Sequence, residues 1–289
     1  MARPRPLTAN EIALRRLLDE LHARYHRPDL LGTDPLCLVH RYRNPEDQEV
    51  VGLLAAAFAS GNIKSIIAAL ERILAVLGPS PATWLRETPP EALRGRFPGF
   101  VHRWVQDRDL EILCAHLGGA LRRHGSLGAL WRAVDDPADP DTREGLARFV
   151  EAILAEPVAP LEPRTRSVER SDGGTHALRS VETILLTNPR NGSACKRMHL
   201  FLRWMARPAD GIDLGLWTSF LAPSRLLIPV DTHVLKQSRR LRLTTEKQPT
   251  AKAALAISSK LRRLHAEDPI RYDFALVRAG IEELRGKLI

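Results

Sequence analysis

Apolar residues recur every three to four positions along most of this chain, and that spacing predicts helices. Ile12, Leu14, Leu17, Leu18 and Leu21 fall at helical intervals over 8–25. Thr8 and Glu11 would open that helix as a capping box, and Pro28 and Gly32 would end it. Asn44-Pro45 opens a second helix, with proline in its first turn, running through VVGLLAAAFAS toward Gly61. A third covers 63–77 and stops at Gly78-Pro79, and 109–123 and 143–155 repeat the pattern. Further along, the spacing predicts helices over 176–186, 193–206, 213–221, 251–264 and 269–281, with a tight turn at 188–192. One more helix starts within IPVDTHVLKQSRRL. Strand signals are nearly absent: no pair of alternating runs flanks an Asn-Gly or Asp-Gly turn, and the nearest candidate, 226–230, is short and contains Pro229. No repeat of fixed period is present. The expected class is all-α, with residues 1–289 as one unit. Within it, 156–175 carries Pro157, Pro160, Pro163, Arg164, Arg166, Arg170 and Gly173-Gly174, and reads as a flexible basic loop that either stays solvated or touches phosphates.

Composition narrows the choice of partners. The chain has 289 residues, 43 Lys and Arg against 34 Asp and Glu, and a formal net charge of +9. A positive balance favours an anionic partner, nucleic acid or a membrane surface. No stretch approaches the roughly 20 apolar residues of a spanning helix, so a soluble protein without membrane association is expected. The N-terminal residues lack an apolar core of the secretory kind. Cys37, Cys114 and Cys195 are an odd number, widely spaced and without a CxxC pair. That argues against a disulfide framework and a clustered-cysteine zinc site, and the count excludes a four-cysteine iron–sulfur cluster. His22, His26, His40, His102, His116 and His124 show no metal-binding spacing. The expectation is a cytoplasmic protein with no metal and no cofactor.

Candidate chemistry gathers in the last third. In Pro229-Val230-Asp231-Thr232-His233-Val234, Asp231 stands at the mouth of a helix, where its carboxylate can accept backbone N–H groups and where the positive helix end favours its charged form. Capping alone would account for an aspartate here. Lys196 lies in the first turn of the helix after the 188–192 turn. A helix N-terminus disfavours an ammonium, and a neutral amine is what nucleophilic catalysis needs. The alternative is that Lys196 and Arg197 are solvated or hold a phosphate, which backbone N–H groups of such a turn also bind.

The segment PVDTHVLKQSRRL resembles the catalytic-aspartate segment of the helix-hairpin-helix DNA glycosylases, the family of endonuclease III and the 8-oxoguanine glycosylases. In that family a hairpin precedes the aspartate, with a lysine at the start of its second helix in bifunctional members. Here Lys196 precedes Asp231 by more than in endonuclease III, and the gap is more similar to the archaeal 8-oxoguanine glycosylase branch. The usual hairpin L-P-G-V-G-x-K-T-A is replaced by NPRNGSACKR, a variant placed at 188–206, followed by the aspartate helix at 229–242. The blocks LFLRWMAR, GLW, IPVDTHV and DPIRYDFAL also resemble those of a bacterial family of hypothetical proteins without an assigned activity.

The glycosylase resemblance implies a two-lobed helical fold with a variant helix-hairpin-helix, and excision of a damaged base, an oxidised purine such as 8-oxoguanine, from double-stranded DNA by a monomer. A flipped nucleotide would be attacked at C1′ by Lys196, with Asp231 stabilising positive charge on the sugar and assisting proton transfer. If Lys196 is only a phosphate contact, Asp231 would activate water instead. Phe201, Trp204, Trp217 and His233 are candidates for contacts to the flipped nucleotide, although aromatics at helical spacing usually face a core. Asp273 is the candidate for reading the base; an ion-paired or solvated face is the plainer account of it. Arg190, Arg197, Arg203, Lys236, Arg239 and Arg240 would meet phosphates, or simply be solvated. Two other classes stay open: a non-catalytic nucleic-acid binder on the same fold, and a helical scaffold for a protein partner.

Overall fold

The computed structural model describes residues 5–161, 165–169, 175–179 and 185–284. The chain is mostly helical, as its periodicity predicts. In chain order the helices are α1 (Ala9–Tyr25), α2 (Leu36–Val39), α3 (Pro45–Phe58), α4 (Ile63–Leu77), α5 (Pro81–Glu87), α6 (Asp107–His124), α7 (Leu127–Val134) and α8 (Arg143–Leu154). They continue with α9 (Lys196–Ala206), α10 (Thr232–Arg240), α11 (Ala251–Leu264) and α12 (Asp273–Leu284). Two short antiparallel hairpins interrupt them: β1 (Val101–His102) with β2 (Val105–Gln106), and β3 (Thr165–Glu169) with β4 (Thr175–Arg179). Among the described residues no helix is long and apolar enough to cross a membrane.

The chain divides into two compact units. The first is Met1–Leu31, Pro140–Thr142 and Gly192–Ile289; the second is Gly32–Asp139 and Arg143–Asn191. The second unit is built around α3 and α6, each buried along nearly its whole length. Asn44 caps α3, its side chain accepting from the Glu46 N–H at 2.9 Å. From the first turns of α3, two buried carboxylates reach neighbouring helix starts. Asp47 accepts from Ala82 N at 2.8 Å and Glu49 from Gly128 N at 3.1 Å. Ser80 makes no side-chain cap on α5, so Asp47 supplies the acceptor that the helix start requires. At Gly118, α6 passes so close to α5 that a Cβ there would stand 2.5 Å from the Leu85 carbonyl oxygen.

In the first unit, α1 begins with the expected capping box: Glu11 N donates to Thr8 Oγ1 at 3.2 Å and Thr8 N to Glu11 Oε2 at 2.8 Å. The same Glu11 accepts from Arg263 Nε of α11 at 2.8 Å, and Tyr272, next to α12, donates to Asp19 of α1 at 2.7 Å. Residues 226–230 form no strand; they are a buried irregular connection leading into Asp231 and α10.

Two expected helices are corrected. Over 176–186 the chain begins as a strand: β4 pairs with β3 from Thr165↔Arg179 to Glu169↔Thr175. The signal for this hairpin was in the chain, because Asp172-Gly173-Gly174 separates two runs containing Thr165, Val168 and Thr175. The first helix of the variant hairpin is therefore not formed over 175–179. Of the basic loop expected over 156–175, residues 165–169 are β3, while 162–164 and 170–174, with Pro163, Arg164, Arg170, Gly173 and Gly174, lie outside the described residues, as do 180–184. The short helix expected over 213–221 is a run of turns. Its backbone is captured by the end of α9: Leu214 N donates to Trp204 O and Trp217 N to Met205 O, both at 2.8 Å. Those carbonyls are orphans of a helix C-terminus, and satisfying them costs this segment its own helical bonds. Gly215 permits the approach, with φ 70° and a position where a Cβ would lie 2.6 Å from Ala209 N.

Candidate functional site

Lys196 and Asp231, distant in sequence, meet in the first unit. Asp231 has extended backbone (φ −115°, ψ −170°) and caps α10, its Oδ1 accepting from His233 N and Val234 N, both at 2.9 Å. Its other oxygen, Oδ2, lies 3.4 Å from Lys196 Nζ. The cap and the candidate chemistry are therefore two halves of one carboxylate: the helix fixes one oxygen, and that orientation presents the other to the amine. Lys196 is the first residue of α9. Cys195 before it is buried and left-handed (φ 44°, ψ 38°), and its N–H donates to Ser193 Oγ at 3.1 Å. Ser193 also bridges Thr250, the N-cap of α11, so the starts of α9, α10 and α11 are drawn together around this pair.

The side chains of Lys196 and Asp231 are 32% and 23% exposed. A pair so placed contributes only about 0.2–1 kcal/mol to stability. An amine beside a carboxylate that can accept its proton is an arrangement suited to nucleophilic attack or to proton transfer.

Beneath the pair lies a buried ionic network. Asp273, at the start of α12, accepts from Arg203 Nη1 at 2.7 Å, and Arg203 Nη2 stands 3.1 Å from Asp213. Arg207, the C-cap just past the end of α9, pairs with Asp213 and with Asp268, the latter at 3.0 Å. Burial pushes the Asp273 carboxyl up to about 6; Arg203 opposes the rise, and the charges of Asp231 and Asp213 add to it. Asp273 thus senses Asp231 electrostatically, but it is 1% exposed. The base-reading residue expected from the sequence is an interior partner of Arg203.

Phe201, Trp204 and Trp217 are likewise interior, at 0–1% exposure, with Phe201 and Trp217 packed edge to face at 5.2 Å. They pack α9 against the turns that follow it, where Trp217 N donates to Met205 O. His233 is half-buried in the first turn of α10, beside Gly280 of α12. Lys236 and Arg239 are exposed on α10, opposite its buried Val234, Leu235 and Ser238, and Arg197 is half-buried on α9. Arg190 belongs to the second unit, where it pairs with Glu144 at 2.9 Å and Glu151 at 2.7 Å of α8. Its guanidinium is committed to two carboxylates rather than presented alone.

His26, Asp210 and Asp213 bring three ligand-type atoms within 4.8 Å of one another. The donors do not suit a cation. His26 Nε2 already bonds Asp210 at 2.7 Å, and Asp213 is held by Arg203 and Arg207, whose charges would repel a metal. Arg203, expected to meet phosphates or solvent, is instead buried between Asp213 and Asp273, and its network with Arg207 and Asp268 was not legible in the sequence. Its one local signal is the pair of arginines four residues apart at the end of a helix whose other positions are largely apolar.

A family model described as a protein of unknown function (DUF2400) matches residues 34–282, a span that includes Lys196, Asp231 and the whole ionic network. No curated protein and no solved structure matches the chain.

Proposed function

The chain belongs to the DUF2400 family, and we propose that it is a DNA glycosylase with lyase activity, in which Lys196 is the nucleophile and Asp231 its proton acceptor and charge stabiliser. The observation that carries this reading is the 3.4 Å approach of Lys196 Nζ to Asp231 Oδ2. The substrate is an extruded damaged nucleotide, an oxidised purine such as 8-oxoguanine, since C1′ is not accessible within the stack. Asp231 takes a proton from the Lys196 ammonium. The free amine attacks C1′, the C1′–N bond breaks, and the base leaves with the proton that Asp231 took, which returns Asp231 to its carboxylate. Ring opening gives a Schiff base on Lys196, and β-elimination then breaks the 3′ C–O bond. Lys236 and Arg239 on the exposed face of α10 would meet phosphates and make binding salt-dependent.

One observation favours a second reading. Residues 175–179 are a strand where the resemblance implies the first hairpin helix. A protein in which 175–179 is not helical could bind nucleic acid without reacting, with Lys196 and Asp231 serving as ion pair and cap. Base release from duplexes carrying single lesions separates the two. On the glycosylase reading, Asp231→Asn slows release by about 100-fold or more, the range lost with a positioned acid–base group. Release unchanged by Asp231→Asn, or absent across a lesion panel from a protein that binds the duplexes, supports the binder.

A further inference from the structure

The second unit carries an aromatic side chain displayed in an unusual way. Trp104 is 64% exposed, at the tip of the β1–β2 hairpin, and Val101 beside it is 60% exposed. The other large aromatic residues of this hairpin region point inward. Phe100 and His102 pack against Phe58 of α3 at centroid distances of 6.0 and 5.6 Å, so the hairpin stands on a buried aromatic base. Its two-residue turn is Arg103-Trp104, and Arg103 holds a left-handed backbone (φ 55°), a conformation that non-glycine residues seldom adopt. The Arg103 guanidinium is tied back to Ser60 Oγ at 3.2 Å. The turn is thus anchored through Arg103, and the indole stands in solvent.

We infer that Trp104 is a stacking platform for an unpaired nucleobase of a bound nucleic-acid strand. The flanking charge selects that occupant. From Ala92 to Gln106 the chain has no acidic residue, while Arg94, Arg96 and Arg103 are all exposed. An aromatic face within an arginine-bearing surface is the combination that single-stranded nucleic-acid binders use, because every base has a π-face and every linkage a phosphate. A turn already rigid in the free protein loses little freedom on binding. The inference rests on the nucleic-acid reading above and adds to it a contact in the second unit.

The test uses the full chain and a short oligothymidylate at low salt, with binding followed by tryptophan quenching and by anisotropy of a labelled strand. Trp104→Ala is expected to weaken binding roughly 5- to 150-fold, the loss that follows from removing one base–aromatic stack. Trp104→Phe is expected to retain most of the affinity. Because the indole packs on little, the melting temperature of both variants should match that of the parent, which separates lost stacking from lost folding. If the parent binds and Trp104→Ala binds equally well, the platform is refuted while the nucleic-acid reading stands. If the parent binds no oligonucleotide or duplex even at low salt, both fail. If Trp104 instead responds to vesicles containing phosphatidylglycerol and not to the oligonucleotide, the surface is a membrane contact and the inference is overturned.

Discussion

Replacing Asp231 by asparagine and by alanine should separate what this residue does for the fold from what it does for chemistry. Its Oδ1 caps α10 through two hydrogen bonds of 2.9 Å, a role asparagine fills nearly as well and alanine cannot. Loss of such a cap costs about 1 kcal/mol, within a range of about 0.5–2. Its Oδ2 pairs with a one-third-exposed Lys196 at 3.4 Å, and solvent screening limits that term to about 0.2–1 kcal/mol. Asp231→Asn should therefore lose only the second contribution, below about 1 kcal/mol. Asp231→Ala should lose both, about 1–3 kcal/mol in total. Urea unfolding, followed by the fluorescence of the buried Trp204 and Trp217 in the same unit, reads the difference. Base release should show no such ranking, since both variants lack the carboxylate. If asparagine and alanine cost the same stability, the cap is not what the geometry indicates. If activity follows stability, with the asparagine variant close to the parent, the carboxylate is structural and has no part in the reaction.

Other consequences follow from the interior. Arg203→Met should destabilise the first unit by roughly 3–5 kcal/mol, because Asp213 and Asp273 would remain buried with one partner fewer; denaturant midpoints check this. Gly118→Ala should cost about 1–3 kcal/mol, since the new methyl meets the Leu85 carbonyl of α5, and thermal melting reads it. Two groups give opposite pH dependences. His22, its imidazole lowered from 6.5 to about 4 mainly by burial, binds its proton more readily in the unfolded chain, so its contribution falls as pH drops from about 6.5 to about 4. Asp273, raised from 3.8 to about 6 mainly by burial, binds its proton more readily in the fold, so its contribution falls as pH rises across about 4 to 6. His22→Gln should therefore flatten the loss of stability on acidification, and Asp273→Asn the loss on the way up, in chemical unfolding at stepped pH.

What could be read from the sequence was what neighbouring residues decide. Thr8 with Glu11, Asn44 with Pro45, and Asp231 ahead of Thr232-His233-Val234 are caps whose donors and acceptors lie within a few positions, and the structure contains each of them. Helices α4 and α11 begin and end where their apolar spacing says, at Ile63–Leu77 and Ala251–Leu264. What failed depends on distant partners. Residues 214–217 have helical spacing, yet the carbonyls at the end of α9 claim their N–H groups. Residues 175–179 pair with 165–169, and the expected helix takes no account of Asp172-Gly173-Gly174, the turn signal between the two runs. From the sequence Asp273 is a base-reading candidate with an ion pair as the plainer account; the pair exists, but nothing in its neighbourhood names Arg203, seventy residues earlier, as its partner or shows that it is buried. The Lys196–Asp231 pair was legible only in part: each residue stood out at a helix start, but only the fold brings them within 3.4 Å.

Borohydride trapping on a duplex with a single abasic site tests the central claim most directly. With the parent protein, reduction should fix a covalent protein–DNA adduct whose modified peptide contains Lys196. Lys196→Gln should give none while still binding the duplex. An adduct that persists in Lys196→Gln, or no adduct from a parent protein that binds the duplex, would contradict the assignment of Lys196 as the nucleophile.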